Sequence, residues 1–129
     1  MPTAARFMPA RSRSNRRAAE ARGRRAETLA AWWLRLHGWR ILAQRVKTRT
    51  GEIDLIARRG RTLAFIEVKA RTAAFDLTLA IDEHRLSRVA GAANWLAHRY
   101  ARPADDIRID VILVGRGLPK HLPNVWHGG

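Results

Sequence analysis

Cysteine is absent from this chain of 129 residues, and lysine is scarce, since 22 of the 25 basic residues are arginine. Without cysteine there is no disulfide framework, no thiolate zinc site and no cysteine nucleophile. No apolar run is long enough to cross a membrane, and no signal-peptide core follows the basic start. We therefore expect a single cytoplasmic domain, because a chain of this length has room for only one sizeable core.

The positive charge is concentrated in the first half of the chain. Residues 1–71 carry 18 Lys and Arg against 5 Asp and Glu, whereas residues 72–129 carry 7 against 6. A coding bias explains the preference for arginine over lysine, but it does not explain this asymmetry. Nucleic acid is the favoured partner, ahead of an anionic membrane or protein surface, because Lys and Arg neutralise backbone phosphates.

Hydrophobic periodicity predicts one α/β domain over residues 18–129. Residues 1–17 hold five arginines, two prolines and no acid, which is typical of a flexible basic arm, although organelle transit peptides have a similar composition. The first helix is predicted from Ala18 to His37, and Gly38 ends it. Its apolar stripe, expected to be buried, consists of Leu29, Trp32, Trp33 and Leu36, continued by Ala26 and Ala30.

Three strands, a second helix and a fourth strand follow, at about 39–46, 52–57, 62–69, 81–100 and 107–114. The first three strands form an antiparallel meander, and Gly60 lies in the turn between the second and third. Residues 118–126 have room for a short edge strand. The predicted order is α-β-β-β-α-β, with no internal repeat.

Charged residues interrupt the two strands of the hairpin, at Glu52, Asp54, Glu67 and Lys69. Because side chains alternate along a strand, Glu67 and Lys69 face the same side, and the hairpin brings Asp54 roughly opposite Glu67. Two carboxylates placed in this way repel each other in a dry environment. A divalent cation between them would remove the conflict, and such oxygen ligands suit Mg²⁺ or Mn²⁺.

The residues alone leave two interpretations with equal weight, a metal site and a plain cross-strand ion-pair cluster. In the metal site, Lys69 would orient the attacking water or stabilise developing charge. Glu27 lies on the first helix near the apolar stripe, and pairing with Arg24 or Arg25 explains it as well as a site role does. The histidines have no ligand spacing, so zinc is not expected.

Two runs carry a family resemblance, Gly51-Glu52-Ile53-Asp54-Leu55-Ile56 and Phe65-Ile66-Glu67-Val68-Lys69, with Arg71 close behind. They resemble the signature of the YraN-like family of small bacterial proteins, and the resemblance extends from Arg22 to Trp126. That family is grouped with restriction-endonuclease-like nucleases and archaeal Holliday-junction resolvases. It implies a restriction-endonuclease-like α/β fold in which helices flank a mixed central sheet.

The resemblance also implies an active-site set, which is Glu27, Asp54, Glu67 and Lys69. Asp54 and Glu67 would bind Mg²⁺ or Mn²⁺ together with the carbonyl of Val68, and Lys69 would be the catalytic lysine. The implied activity is hydrolysis of phosphodiester bonds in DNA, including branched or structured DNA. The alternative is a nucleic-acid-binding protein of the same fold with weak or no activity.

Further basic residues are predicted to contact nucleic acid, namely Arg58, Arg59, Arg61, Arg71 and His84. In the family a basic residue, usually lysine, opens the second helix, and His84 is the nearest match here. DNA is preferred over RNA as the partner, and no membrane partner is expected. Resolvase-like relatives often dimerise, so a homodimer is left open.

Overall fold

A five-stranded sheet with a helix packed on each face makes up residues 10–70 and 83–126, the part of the chain that the computed structural model describes. The helices are α1 (Ala10–Leu36) and α2 (Glu83–Tyr100). The strands are β1 (Arg40–Lys47), β2 (Glu52–Arg59), β3 (Thr62–Ala70), β4 (Asp106–Val114) and β5 (Lys120–Leu122). This order confirms the predicted α/β core and its short final strand.

The sheet is mixed, as predicted, and its strands lie in chain order. All neighbouring strands are antiparallel except β3 and β4, which are parallel. The β2–β3 hairpin turns at Gly60, whose φ of 61° is easily adopted by a residue without a Cβ atom. A parallel pair needs a long crossover connection, and α2 lies within that connection. The crossover places α2 over the strands that carry Asp54 and Glu67.

Helix α1 begins earlier than the sequence pattern indicates. It starts at Ala10 rather than near Ala18, so residues 10–17 belong to the helix and not to an arm. Alanine and arginine are strong helix formers, and residues 10–17 contain neither glycine nor proline. The predicted stop is confirmed: Gly38 has a φ of 86°, and the Trp39 amide donates to the Leu34 carbonyl at 2.9 Å. This is the Schellman ending that glycine favours.

The face of α1 that packs on the sheet differs from the predicted stripe. Leu29, Trp32 and Leu36 are 54%, 57% and 80% exposed, and only Trp33 of the predicted large residues is partly buried against the core. The buried residues are Ala26, Ala30, Ala31 and Leu34. The sheet also presents small side chains at this contact, Ala57 and Ala64. Small side chains on both surfaces let the helix pack close to the sheet.

Helix α2 covers the other face through the residues that the sequence predicts. Leu86, Val89, Ala93 and Leu96 are all buried and pack against side chains that include Leu63 and Phe65. Residues 56, 63 and 65 therefore point towards α2, whereas 55, 57, 64 and 66 point towards α1. Glu67 and Lys69 continue the alternation of Phe65, so they lie on the α2 face. Within the described residues, neither helix is long and apolar enough to cross a membrane.

Arg58 does not lie on a phosphate-binding surface, contrary to the prediction from sequence. Its guanidinium makes a bidentate pair with Asp105, at 2.9 Å to Oδ1 and 2.7 Å to Oδ2, and donates to the Tyr100 carbonyl at 3.0 Å. Both side chains of the pair are buried, with exposures of 7% and 3%. The pair ties the C-terminal end of α2 to the hairpin, which is a structural role.

We expect Arg58→Ala to lower the midpoint of thermal unfolding by several degrees, because it leaves a buried carboxylate and the Tyr100 carbonyl without their donor. Arg61→Ala, which changes an exposed arginine in the adjacent turn, is the matched control. The Arg58 hydrogen bonds lower the pKa of Asp105 to about 2, with help from the Arg102 amide. This contribution to stability is therefore present above about pH 4 and is lost as the pH falls towards 2. Equal melting of the two variants would contradict the assignment.

Candidate active site

Strands β2 and β3 separate at the end of the hairpin away from its turn, and the gap between them forms a fork. Their last pair is Leu55 with Ile66, yet β2 stays paired with β1 as far as Glu52, and β3 stays paired with β4 as far as Ala70. Strand β2 also twists at this point, since Ile53 and Ile56 pack into the same cluster although they are three residues apart. Asp54 and Glu67 are the residues that follow the last pair into the fork.

The side chain of Asp54 bridges the two strands of the fork. Its Oδ2 atom accepts a hydrogen bond from the backbone amide of Val68 at 2.8 Å. A carboxylate thus takes the place that a carbonyl of the neighbouring strand would occupy in a continuous ladder. The predicted opposition of Asp54 and Glu67 is consistent with this register, which brings the two residues level across the fork.

Glu67 is a buried carboxylate, only 3% exposed. Its Oε1 atom lies 2.7 Å from Arg85 Nε and 3.9 Å from Lys69 Nζ, but no donor within the described residues makes a hydrogen bond of acceptable geometry to it. Two positively charged groups therefore lie close to Glu67 Oε1. The oxygen nevertheless lacks the well-directed hydrogen bond that a buried polar atom normally makes. Such an oxygen is suited to a ligand that approaches along its lone pair.

Burial raises the pKa of Asp54 to about 7, and the neighbouring charges of Glu67 and then Glu27 add to the effect. The Val68 amide and the Arg85 guanidinium act in the opposite direction and only partly compensate. The carboxyl group is therefore held in an environment that disfavours its charged form, as expected for two carboxylates in a poorly solvated fork. Either a proton or a cation is needed to relieve it.

Lys69 lies on the same face of β3 as Glu67, two residues further along, as alternation predicts. Its side chain is 13% exposed, so the ammonium group is largely shielded from water. A lysine so placed brings positive charge to the side of the sheet on which Glu67 lies. The distance of 3.9 Å to Glu67 Oε1 is that of an ion pair rather than a hydrogen bond.

Glu27 lies at the edge of the site and is not gathered into it. It accepts a hydrogen bond from Arg45 Nε at 2.7 Å, yet it is close enough to raise the pKa of Asp54. Arg45 has a φ of 53°, a left-handed conformation that costs a non-glycine residue about 1–2 kcal/mol. Its pairing with Glu27 was not predicted.

Among the described residues, no three His, Asp or Glu side chains lie close enough together to hold a metal ion as a group.

Two arginines of α2 complete the site, and the sequence analysis did not select them. A pocket of ≈ 320 Å³ is lined by Glu52, Asp54, Glu67, Arg85 and Arg88, together with Gly51 and Val89. Arg85 and Arg88 are three residues apart in the first turns of α2, so they face the same way. In the sequence, each of these arginines directly precedes an apolar residue of the predicted buried face, Leu86 or Val89, and this pattern could have identified them. His84 is exposed and does not line this pocket.

The other predicted nucleic-acid contacts lie elsewhere. Arg59 and Arg61 are exposed at the turn of the hairpin, and Arg59 is roughly 17 Å along β2 from Asp54. Arg59 instead lies over the Trp39 ring at 4.6 Å and donates to the His37 carbonyl. Arg71 lies outside the described residues. Among the described basic residues, Arg85 and Lys69 pair with Glu67, and Arg88 lines the same pocket as both carboxylates.

Asp110 belongs to a separate structural network on the α1 face of the sheet. It is fully buried and accepts hydrogen bonds from Arg108, from His121 at 2.7 Å and from the Asn124 amide at 2.8 Å. Burial alone would raise the pKa of Asp110, but these donors outweigh it and lower the pKa. The network ties β5 and the following turn to β4, which is a structural role.

The whole of this site lies in a region that matches a known family. The model of the Uncharacterised protein family UPF0102 matches residues 26–114, more than half of the chain. The chain belongs to this family. Membership confirms the resemblance to YraN-like proteins, and the matched region contains Glu27, Asp54, Glu67 and Lys69.

Relatives within the family match over nearly their full length. A UPF0102 protein of Sphingopyxis alaskensis is 69% identical over 112 residues, which is 86% of this chain and 97% of the relative. One of Rhizorhabdus wittichii is 62% identical over 116 residues, or 89% and 98% of the two chains. One of Parvibaculum lavamentivorans is 48% identical over 131 residues, or 95% and 96%. The name of the family describes no activity, so function has to be argued from the site.

Proposed function

We propose that this protein is a metal-dependent endonuclease that hydrolyses phosphodiester bonds in DNA. The observation that carries the proposal is the fork, where the carboxylates of Asp54 and Glu67 meet beside Lys69 on the face covered by α2. Glu67 Oε1 is buried and, although Arg85 Nε lies 2.7 Å away, it accepts no hydrogen bond of acceptable geometry among the described residues, which leaves a lone pair for a cation. The restriction-endonuclease-like order of elements supports the same proposal.

The donor set of the fork fits Mg²⁺ or Mn²⁺. Asp54 and Glu67 would supply carboxylate oxygens and Val68 its backbone carbonyl, which are the oxygen ligands that these cations prefer. The burial of Glu67 and the raised pKa of Asp54 support a bound cation, because positive charge between two poorly solvated carboxylates favours their ionised forms. When bound, the cation supplies Lewis-acid stabilisation of phosphate charge and lowers the pKa of a coordinated water.

The protein's own residues have distinct roles in this proposal. Lys69 is placed to orient the attacking water or to stabilise the charge that develops on the phosphate. Arg85 and Arg88 line the same pocket and would hold the phosphates that flank the scissile bond. Glu27 acts on the site through its charge and through Arg45, and we assign it a supporting role.

We propose DNA rather than RNA as the substrate and the cytoplasm as the place of action. The excess of basic residues in the first 71 positions supports a polyanionic partner, because 18 Lys and Arg there face only 5 acids. Symmetric cleavage of two strands would require two copies of the site, so the proposal includes a homodimer on branched DNA.

A second candidate function is nucleic-acid binding without catalysis, and one observation favours it. The Arg85 Nε atom lies 2.7 Å from Glu67 Oε1, where it offers positive charge to the oxygen that a cation would use. If this guanidinium stays in place, the carboxylates need no metal. Arg85 is 56% exposed, and outward rotation of its side chain, which has several rotatable bonds, would uncover Glu67 Oε1.

A cleavage assay separates the two candidates. Purified protein is incubated with supercoiled, linear and four-way-junction DNA in Mg²⁺, in Mn²⁺ and in EDTA. We expect metal-dependent cleavage of at least one substrate, and no cleavage by Asp54→Ala protein purified in parallel, which controls for contaminating nucleases. Salt-sensitive binding without cleavage of any of the three substrates would favour the binding protein and reject the nuclease.

A further inference from the structure

Trp95 presents a large apolar surface to solvent beside the candidate active site. Its side chain lies on α2 and is 64% exposed, although aromatic side chains of this size are normally well buried. It lines a pocket of ≈ 270 Å³ together with Lys47, Arg49 and Arg99. Among the described residues that line this pocket, none carries a carboxylate. An exposed indole bordered by three cations is the composition of a nucleic-acid-binding surface.

This Trp95 pocket lies on the same helix face as the pocket of Asp54 and Glu67, which is called the catalytic pocket below after its proposed function. Arg88, Trp95 and Arg99 follow one another at intervals of seven and four residues, so they form one row along α2. The helical rise places Trp95 roughly 10 Å from Arg88, which already lines the pocket of Asp54 and Glu67. A strand that binds at Arg88 would therefore reach Trp95 within a few nucleotides.

The turn between β1 and β2 connects the two pockets and is packed firmly against α2. Thr48 and Arg49 line the Trp95 pocket, and Gly51 lines the catalytic pocket. A Cβ atom on Gly51 would lie 3.1 Å from the Arg88 carbonyl, and one on Gly91 would collide with Thr50. The close approach therefore favours glycine at both positions. The two pockets are consequently held in a fixed relation to each other.

Charge argues against self-association as the reason for this exposed tryptophan. In a two-fold dimer the same patch faces itself, so three cations would meet three cations around each indole. Phosphates on either side of a stacked base would instead be complementary to Lys47, Arg49 and Arg99. Trp32 offers a contrast, since it is 57% exposed but lies on α1, across the sheet from the carboxylates.

We propose that Trp95 is a stacking platform for an unpaired base, with Lys47, Arg49 and Arg99 holding the adjacent phosphates. The substrate class is then DNA with a single-stranded segment next to the bond that is cut, because a base inside a duplex cannot expose its face to the indole. This inference rests on the proposed function for its substrate, and it adds a requirement for unpaired nucleotides that the carboxylates alone do not impose.

The test is a binding measurement in EDTA, so that no cleavage occurs. Full-length protein is titrated into fluorescein-labelled dT20 and into a 20-base-pair duplex, and fluorescence anisotropy is recorded. We expect Trp95→Ala to weaken dT20 binding about tenfold, the effect of losing one base–aromatic stack, and to change duplex binding less than twofold. Trp95→Phe should retain most of the affinity, and Trp32→Ala is the matched control with no expected effect.

The outcomes keep this inference distinct from the nuclease proposal. Equal losses for dT20 and duplex, or equal effects of Trp95→Ala and Trp32→Ala, would overturn the stacking role even if the protein cleaves DNA. A selective loss for dT20 would support it even if no substrate is cleaved. A change from dimer to monomer on sedimentation of Trp95→Ala, with dT20 affinity unaltered, would assign the indole to a protein contact instead. Correct folding of each variant is checked by circular dichroism.

Discussion

Lys69→Ala is expected to reduce DNA cleavage by about 100-fold or more while leaving the affinity for Mn²⁺ nearly unchanged. Removing one preorganised donor from a transition state typically costs a factor of about 10²–10³. The ammonium group is largely shielded, at 13% exposure, and forms an ion pair with Glu67 Oε1 at 3.9 Å. Its loss therefore removes positive charge from the reacting phosphate and leaves both carboxylates in place. Single-turnover cleavage and isothermal titration with Mn²⁺ measure the two quantities separately.

The scarcity of lysine supplies a clean control for this prediction. Lys120 is exposed on β5 and lines neither of the two pockets described above, so Lys120→Ala should cleave at the wild-type rate. Lys69→Arg keeps the charge but not the compact shape of the ammonium group, and we expect it to recover only part of the activity. Wild-type cleavage by Lys69→Ala would remove this residue from the catalytic assignment.

The core of the site could be predicted because strand β3 keeps a regular alternation of its side chains between the two faces of the sheet. A period of two residues leaves only one face for Glu67 and Lys69 once Phe65 is buried, and a hairpin that turns at Gly60 then brings Asp54 level with Glu67. The separation of β2 and β3 beyond that point could not be predicted. It depends on the Asp54 side chain bonding the Val68 amide, a contact that spans 14 positions.

The failures share a physical cause, which is pairing between residues far apart in the chain. Arg58 looked like a free cation in a basic turn, but its partner Asp105 lies 47 positions away. The buried face of α1 was misassigned because two apolar stripes compete on one helix. The sheet residues Ala57 and Ala64 select the alanine stripe and leave Leu29 exposed. No local pattern in the helix contains that information.

Helix α2 shows the same limit at a functional position. Family resemblance pointed to a basic residue at its start, and His84 was the nearest match in sequence. The structure places Arg85 at 2.7 Å from Glu67 Oε1 and lines the pocket with Arg88 as well. A helical rotation of about 100° separates adjacent residues, so an error of one position changes the face completely. Only the packing of Leu86 and Val89 fixes which residues point at the fork.

Asp54→Asn should stabilise the metal-free protein and abolish its response to Mn²⁺. The pKa of Asp54 is raised to about 7 in the folded protein, first by burial and then by Glu67. In the unfolded chain it returns to about 3.9. Between these values the folded state binds the extra proton, so the wild-type free energy of unfolding falls as the pH rises from about 4 to 7. Asparagine can still accept from the Val68 amide but carries no charge to repel Glu67.

At pH 8 in EDTA we therefore expect Asp54→Asn to exceed the wild type in unfolding free energy by about 1–3 kcal/mol, measured by urea denaturation. Asp106→Asn, which changes an exposed acid at the start of β4, should match the wild type and serves as the control. Added Mn²⁺ should stabilise the wild type by mass action and leave Asp54→Asn unaffected. The difference in unfolding free energy between the two proteins should therefore become smaller or change sign. If Asp54→Asn were less stable in EDTA, the carboxylates would have to be held by internal pairs such as Arg85–Glu67, and the case for a cation in the fork would fail.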